Sequence, residues 1–159
     1  MSEILRKSVG KAIVIHRPSM SALILRLNKA ERARRSTPNV EYDEWHIPGG
    51  STEPEDGGSK QRAAIRETFE ETGQNINVIG SLGSAAWNAF FEGSPADFSA
   101  EFFLCLLEDE KSEVPEIMLS NESSEAAWVS VEELDRYEQR GLTPEAKKFI
   151  LLGFERINE

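Results

Sequence analysis

The stretch Gly49-Gly50-Ser51-Thr52-Glu53-Pro54-Glu55-Asp56-Gly57-Gly58, continued by Arg66-Glu67-Thr68-Phe69-Glu70-Glu71-Thr72-Gly73, decides how this chain is read. A helix is expected from about Lys60 to Thr72, with Ser59 as N-cap and Gly73 as the left-handed residue that closes it. At about 100° per residue, Ile65, Phe69 and Thr72 form the expected packing stripe. Glu67, Glu70 and Glu71 fall within roughly a 100° arc on the other side. Each like-charge pair at this spacing costs about 0.2–0.5 kcal/mol. Water absorbs that cost on an exposed face, so a plain solvated acidic surface is one reading.

Working outward, Val9 to His16 is expected as a strand, with Ile13, Val14 and Ile15 as its β-branched run. Ala22 to Leu27 reads as a second, with Leu23, Leu25 and Leu27 on one face and Arg26 on the other. Pro18 and Ser19 suit the turn between them. Asn28 to Asp43 reads as a long polar connection containing Lys29, Arg32, Arg34 and Arg35. Trp45 to Pro48 is a short strand stopped by Pro48-Gly49-Gly50. Beyond the helix, strands are expected at Ile76–Leu82, Ala85–Phe91, Phe102–Leu107 and Ala127–Val131, with a Gly-Ser-Pro turn at residues 93–95. The last helix starts near Pro144 with Thr143 as N-cap, and Ala146, Phe149, Ile150, Gly153, Phe154 and Ile157 make its docking face. The implied class is α/β, a sheet covered by a helix on each face. At 159 residues with no break in composition, one domain over residues 1–159 is expected.

The balance of 28 acids against 18 Lys and Arg gives a formal net charge of -10. That argues against general binding to DNA, RNA or anionic membranes, which attract clustered cations. A small phosphorylated ligand stays admissible because a bound divalent ion inverts the local charge. Cys105 is the sole cysteine, so an internal disulfide is excluded, and its apolar run makes it a small buried hydrophobe. The first residues carry Glu3, Arg6, Lys7 and Lys11 without an apolar stretch, so no signal peptide is read and a cytoplasmic location is the default. A homodimer is compatible with the sequence, which carries no signature for one.

Two features raise the acidic helix above a solvated face. Ala63 and Ala64 border the arc and leave room for another chain segment. The Gly- and Pro-rich approach can fold back and bring backbone carbonyls to the carboxylates. Carboxylates, a carbonyl and water are the ligands Mg²⁺ prefers, and three carboxylates can hold one or more ions over a diphosphate. Arg66 is placed to hold Glu70 at i,i+4 or to secure the preceding loop. Neither His16 nor His46 has the partners of a zinc site, and no Ser-His or Cys-His elbow suggests covalent catalysis.

Arg66, Glu67, Glu70, Glu71 and Gly73, with the lead-in Trp45-His46-Ile47-Pro48-Gly49-Gly50, resemble the box of the Nudix hydrolase superfamily. That pattern is Gly, five residues, Glu, seven residues, then Arg-Glu, an aliphatic residue, any residue, Glu-Glu, any residue, Gly and an aliphatic residue. Glu125 to Leu134 also resembles the strand and turn that many members carry before their last helix. The resemblance implies an α/β/α sandwich with a mixed sheet, and hydrolysis of a diphosphate linkage with Mg²⁺, or Mn²⁺ as a substitute. It makes Arg66, Glu67, Glu70 and Glu71 the catalytic set. Glu67, Glu70 and Glu71 would be metal ligands, with the Gly49 carbonyl a further one. Candidates for general base are Glu67, Glu101, Glu122 and Glu125.

Some positions depart from the pattern. Counting back from Arg66 puts the first Glu at Gly58, and the chain from Gly50 to Arg66 is two residues longer than usual, with Glu55 and Asp56 as apparent extras. Glu53, Glu55 or Asp56 is left to supply the missing carboxylate. Thr68 and Gln74 replace aliphatic residues. For the substrate, a nucleotide or nucleoside diphosphate derivative, Trp87, Phe90 and Phe91 are candidates to stack on a base and Asn88 to bond it. Arg26, Arg32, Arg34 and Arg35 are candidates for phosphate, and His46 faces the site or serves structure. Capped RNA and inositol pyrophosphates fit less well without a dominant basic patch. The competing function is a catalytically impaired nucleotide sensor or protein-binding module on the same fold, motivated by Gly58.

Overall fold

The computed structural model describes residues 4–35, 44–91 and 93–159, without the side chains of residues 34, 35, 90 and 91. Its central strand is β1, Leu5–His16, buried without interruption from Ala12 to His16. Such a run belongs to a strand covered on both faces. Alternation sends Ile13 and Ile15 into one core and Ala12 and Val14 into the other. The other elements are β2 (Ser21–Leu27), α1 (Lys29–Arg35), β3 (Trp45–His46), β4 (Gly49–Ser51), α2 (Lys60–Thr72), β5 (Ile76–Phe91), β6 (Ser94–Leu107), β7 (Ser123–Val129), α3 (Leu134–Gln139) and α4 (Pro144–Ile157).

The seven strands form one mixed sheet whose main path is β3-β2-β1-β6-β5, with β4 on β1 and β7 on β2. β6 runs parallel to β1 from Leu5↔Ala96 to Ile15↔Leu106, whereas β5 and β6 are antiparallel. Phe149, Ile150 and Phe154 of α4 fill the core on one face, where the Phe102 and Phe149 rings stack at 3.9 Å. Ala64 of α2 joins Ala12, Val14, Leu23, Leu25, Phe103 and Cys105 on the other. This is the α/β/α sandwich expected. Burial pushes the Cys105 thiol up to about 12, in keeping with an inert core residue.

A fork in the sheet positions the site. β2 pairs with β1 only at Ile15↔Ala22 and His16↔Ser21, then the two diverge. The segment from Trp45 to Ser51 fills the gap: β3 bonds to β2, β4 bonds to β1, and the Ala12 N–H donates to the Pro48 carbonyl at 2.9 Å. The expected single strand at Trp45–Pro48 is therefore two short ones, each held by a different arm of the fork.

Other boundaries moved for local reasons. The polar stretch after β2 contains α1, started by Asn28, whose side-chain oxygen accepts the Glu31 N–H at 2.8 Å. Lys-Ala-Glu-Arg-Ala-Arg-Arg has good helix formers but little apolar periodicity, so pattern reading passes over it. β5 is one strand rather than two, with irregularities between Val78 and Gly80 and between Ser81 and Gly83. Gly83, at φ 136, takes a backbone shape that breaks the alternation without ending the strand. β6 starts at Ser94, well before Phe102, and β7 spans Ser123–Val129 rather than Ala127–Val131. Among the described residues, no helix is long and apolar enough to cross a membrane.

Candidate active site

The α2 helix has the expected ends. Ser59 Oγ accepts the Arg62 N–H at 3.1 Å, and Gly73, at φ 73, donates its N–H to the Phe69 carbonyl at 2.8 Å. Its buried face differs from the expected stripe. Ala63, Ala64, Thr68, Glu71 and Thr72 are buried, Ile65 is half-buried and Phe69 is 51% exposed. The cause is a close approach to β1: a Cβ on Gly10 would lie 1.8 Å from the Lys60 carbonyl oxygen and 2.9 Å from the Ala64 nitrogen. Only the small-residue face of the helix fits there, so the large Phe69 turns outward. The same rotation carries Glu71 from the expected solvent side into the protein.

Glu71 is only 5% exposed, and its Oε1 accepts the Gly49 N–H at 2.9 Å. Burial pushes its pKa up to about 8, opposed by the Gly49 N–H and Lys11 and reinforced by Glu67 and Glu122. Glu67, half-buried, lies against the Gly50 backbone, where an added Cβ would meet its carboxyl carbon at 2.5 Å. Its pKa is also raised, chiefly by burial, with Arg66 opposing and Glu70 and Glu122 adding. Glu70 is exposed. Glu122 is brought near by the loop before β7: the Ser120 N–H donates to the Glu71 carbonyl at 3.4 Å, and the Glu122 carbonyl accepts the Asn28 N–H at 2.9 Å. Of the other acids considered as bases, Glu101 pairs across β6 with Gly10 and Ser84, and Glu125 faces Arg26 at 3.4 Å.

Arg66 organises the approach. Its Nε and NH2 donate to the two Asp56 oxygens at 3.1 and 2.8 Å, and NH2 also donates to the Ser51 carbonyl at 3.1 Å. NH1 donates to Glu67 at 3.1 Å and to both Glu70 oxygens at 3.2 Å. Both roles foreseen for this arginine are thus combined. Asp56, 3% exposed, also accepts the Glu53 N–H at 2.8 Å and closes a single 3-10 turn, Pro54–Asp56. The Arg66 fork holds the Asp56 carboxyl below its usual range, against burial, and the Asp56 bond is the chief cause raising Arg66. Asp56 follows Gly50 after five intervening residues, where the box pattern counted forward has its first Glu. The two additional residues therefore follow that acid, and Gly57 (φ 60) and Gly58 (φ 80) carry the chain around the detour. Of Glu53, Glu55 and Asp56, the three acids considered for the missing carboxylate, Asp56 is the one that both Nε and NH2 of Arg66 hold.

The expected substrate contacts are dispersed. Arg26 is paired with Glu44 and Glu125, and Glu44 chiefly raises its pKa. His46 is half-buried on β3, its Nδ1 3.0 Å from the Ile47 carbonyl oxygen. Trp87 stacks on Phe98 at 5.3 Å with planes 2° apart and packs against the α4-side core. Trp87 and the exposed Asn88 line a cleft of about 580 Å³ with Arg6, Asp97 and Ser99, and none of the helix carboxylates lines it. The Arg34, Arg35, Phe90 and Phe91 side chains lie outside the described residues. His16 is fully buried and donates or accepts structurally, at 2.6 Å from Ser19 Oγ and 2.7 Å from the Lys111 carbonyl oxygen.

Among the described residues, no three His, Cys, Asp or Glu side chains are already gathered as a metal-holding group. The donor chemistry nonetheless fits a divalent cation. Glu71 is a buried carboxylate with one N–H donor, and Glu67 and Glu122 raise the cost of charging it. A hard cation with oxygen preference would offset that cost.

Residues 11–152 match the NUDIX domain. The fold is similar to that of a MutT protein from Methanosarcina mazei Go1, at 23% identity and TM-score 0.67 over 100% of this chain and 99% of that one. A NUDIX hydrolase from Nitrosomonas europaea aligns at 21% identity and TM-score 0.66, covering 92% and 87% of the two chains. A C. elegans Ap4A hydrolase aligns at 17% identity and TM-score 0.61, covering 98% of each. With the domain match extending over most of its length and the box seated on α2, the chain belongs to the Nudix hydrolase superfamily.

Proposed function

We propose that the chain is a Mg²⁺-dependent hydrolase of a diphosphate linkage in a nucleotide or nucleoside diphosphate derivative. The observation that carries this reading is the buried Glu71 carboxyl beside Glu67 and Glu122, with only the Gly49 N–H bonded to it and the Lys11 charge to oppose its burial among the described residues. Glu71, Glu67 and Glu70 would hold the ion, with the Gly49 carbonyl as a further ligand. When bound, Mg²⁺ neutralises diphosphate oxygens and acidifies water, and Mn²⁺ can take its place. Glu122, on a loop tied to both Asn28 and the C-terminal turn of α2, accepts the proton of the attacking water. The water oxygen bonds to one phosphorus, the bridging P–O bond breaks, and two phosphorylated fragments leave. Arg66 touches no reacting atom in this scheme; it fixes Glu67 and Glu70 to the Asp56 turn. The cleft beside Trp87 and Asn88 offers room for the organic group: Trp87 lies three residues, or about 10 Å, along β5 from Ser84, the partner of Glu101.

A panel of nucleoside triphosphates, ADP-ribose, dinucleoside polyphosphates and nucleotide sugars, assayed for phosphorylated products with Mg²⁺, tests the reading. Turnover abolished by Glu70→Gln or Glu71→Gln supports it. The sensor reading draws on Glu67 and Glu70 being held by Arg66. Tight nucleotide binding with no product under Mg²⁺ or Mn²⁺ would favour that alternative and sink the hydrolase.

A further inference from the structure

We infer that Lys11 is a substrate-binding residue whose ammonium group takes an anionic oxygen of the diphosphate, and so sets the demand for a charged substrate. The inference rests on the hydrolase reading for its substrate, but its geometry is independent of the helix carboxylates' role. Lys11 lies in the middle of the central strand. By alternation it shares a face with Val9, Ile13 and Ile15, all buried, and it is half-buried itself. A lysine among such neighbours gives up part of its hydration and needs a partner. It makes no hydrogen bond or ion pair among the described residues. Between its register partners Phe102 on β6 and Gly49 on β4, the stem lies against the box: a Cβ on Gly49 would lie 2.8 Å from Lys11 Cδ. The Gly49 N–H is the one held by Glu71 at 2.9 Å, so the lysine stem runs beside the glycine that anchors the most buried carboxylate.

Three other cations near the fork are committed among the described residues. Arg66 is spread over Asp56, Glu67 and Glu70, and Arg26 over Glu44 and Glu125. Lys60 donates to Ser99 at 2.9 Å. A diphosphate brought to an acidic helix meets repulsion from every carboxylate that a metal ion leaves unneutralised. Lys11 supplies positive charge from the strand side, opposite the helix, as a compact ammonium suited to a phosphate oxygen. An alternative is that it serves only as a distant counter-charge for Glu71, and the two roles differ in what they bind.

Lys11→Met keeps length and apolar stem, so the strand should fold. Titration calorimetry with methylene diphosphonate, a non-hydrolysable diphosphate, in saturating Mg²⁺ is expected to show affinity lower by about tenfold or more. Mg²⁺ affinity without the diphosphonate is expected to stay the same or rise, and Lys11→Arg to restore part of the diphosphonate affinity. In turnover, the loss should fall on KM more than on kcat. Equal diphosphonate affinity in Lys11→Met and the unchanged chain would overturn the inference, as would no diphosphonate binding by the unchanged chain. A fall confined to Mg²⁺ affinity would also overturn it and assign Lys11 to Glu71. Lys11-dependent diphosphonate binding with no turnover of any diphosphate would instead remove the hydrolase reading and leave Lys11 as an anion site.

Discussion

Asp56 and Glu71 are both almost fully buried acids of the same box, yet they sit in opposite electrostatic states. Asp56 has both oxygens on the Arg66 guanidinium and an N–H from Glu53, and its pKa is lowered. Glu71 has one N–H and the charge of Lys11 against burial and two acidic neighbours, and its pKa is pushed up to about 8. The first carboxylate is complete within the chain. The second is only partly offset by the chain, and in the proposed reaction that difference separates an acid that builds the site from one that works in it.

The comparison breaks most sharply at Glu71. Glu71→Gln keeps an acceptor for the Gly49 N–H and removes a buried charge. Turnover should fall by more than about 100-fold, since even residues behind a metal ligand typically cost 10–100-fold. The metal-free protein should meanwhile melt about 3 °C higher or more at pH 8, read by calorimetry. A variant that lost stability instead would place Glu71 with Asp56 as a structural acid.

The two acids should also answer pH in opposite directions. Glu71 has its folded pKa raised from 4.5, so the stability it contributes is fully present below about 4.5 and is lost as pH rises toward 8. The slope is at most about 1.4 kcal/mol per pH unit from this one group. Asp56 is depressed from 3.8, so its contribution is present above that value and is lost as pH falls below it. Thermal melts of the metal-free chain from pH 3 to 9 should thus show a dome, and saturating Mg²⁺ should flatten the alkaline limb alone. An alkaline limb indifferent to Mg²⁺ would detach Glu71 from the metal.

Asp56→Ala tests the structural member. It leaves Arg66 facing Glu67 and Glu70 without its strongest partner, and should cost about 2 kcal/mol, or a melting point lower by roughly 4–8 °C. Turnover should drop by about tenfold because the Glu67 and Glu70 carboxylates lose a fixed support, while diphosphonate affinity changes less. Loss of activity as complete as in Glu71→Gln would mean that Asp56 itself meets the metal.

Much of this architecture was legible in the residues. The bounds and caps of α2, the docking face of α4 and the two-sided burial of β1 all follow local rules that the packing left alone. The buried face of α2 did not, because it is set by Gly10 on a strand fifty residues earlier, and a helix wheel holds no record of that approach. In the sequence Lys11 is one charge of an N-terminal segment, since its pairing with Gly49 is a register fact. The Asp56 role was hidden by the direction of counting. From Arg66 backward the pattern lands on Gly58, whereas from Gly50 forward it lands on Asp56, and only contact with Arg66 selects the second.

Gly58→Glu therefore carries the smallest effect and the cleanest discrimination. Were the first box acid truly missing, a glutamate at this position would restore it and raise activity. In the structure, nothing lies within 4 Å of a Cβ at Gly58, so the new side chain would enter open space and find Arg66 already held by Asp56. The only penalty is the left-handed backbone at φ 80, worth about 1 kcal/mol for a residue with a Cβ. Turnover should stay within about twofold of the unchanged chain, with a melting point lower by roughly 2–4 °C. A clear gain in turnover would show that the Gly57–Gly58 detour is a defect in the site, and that Asp56 only imitates the acid it stands for.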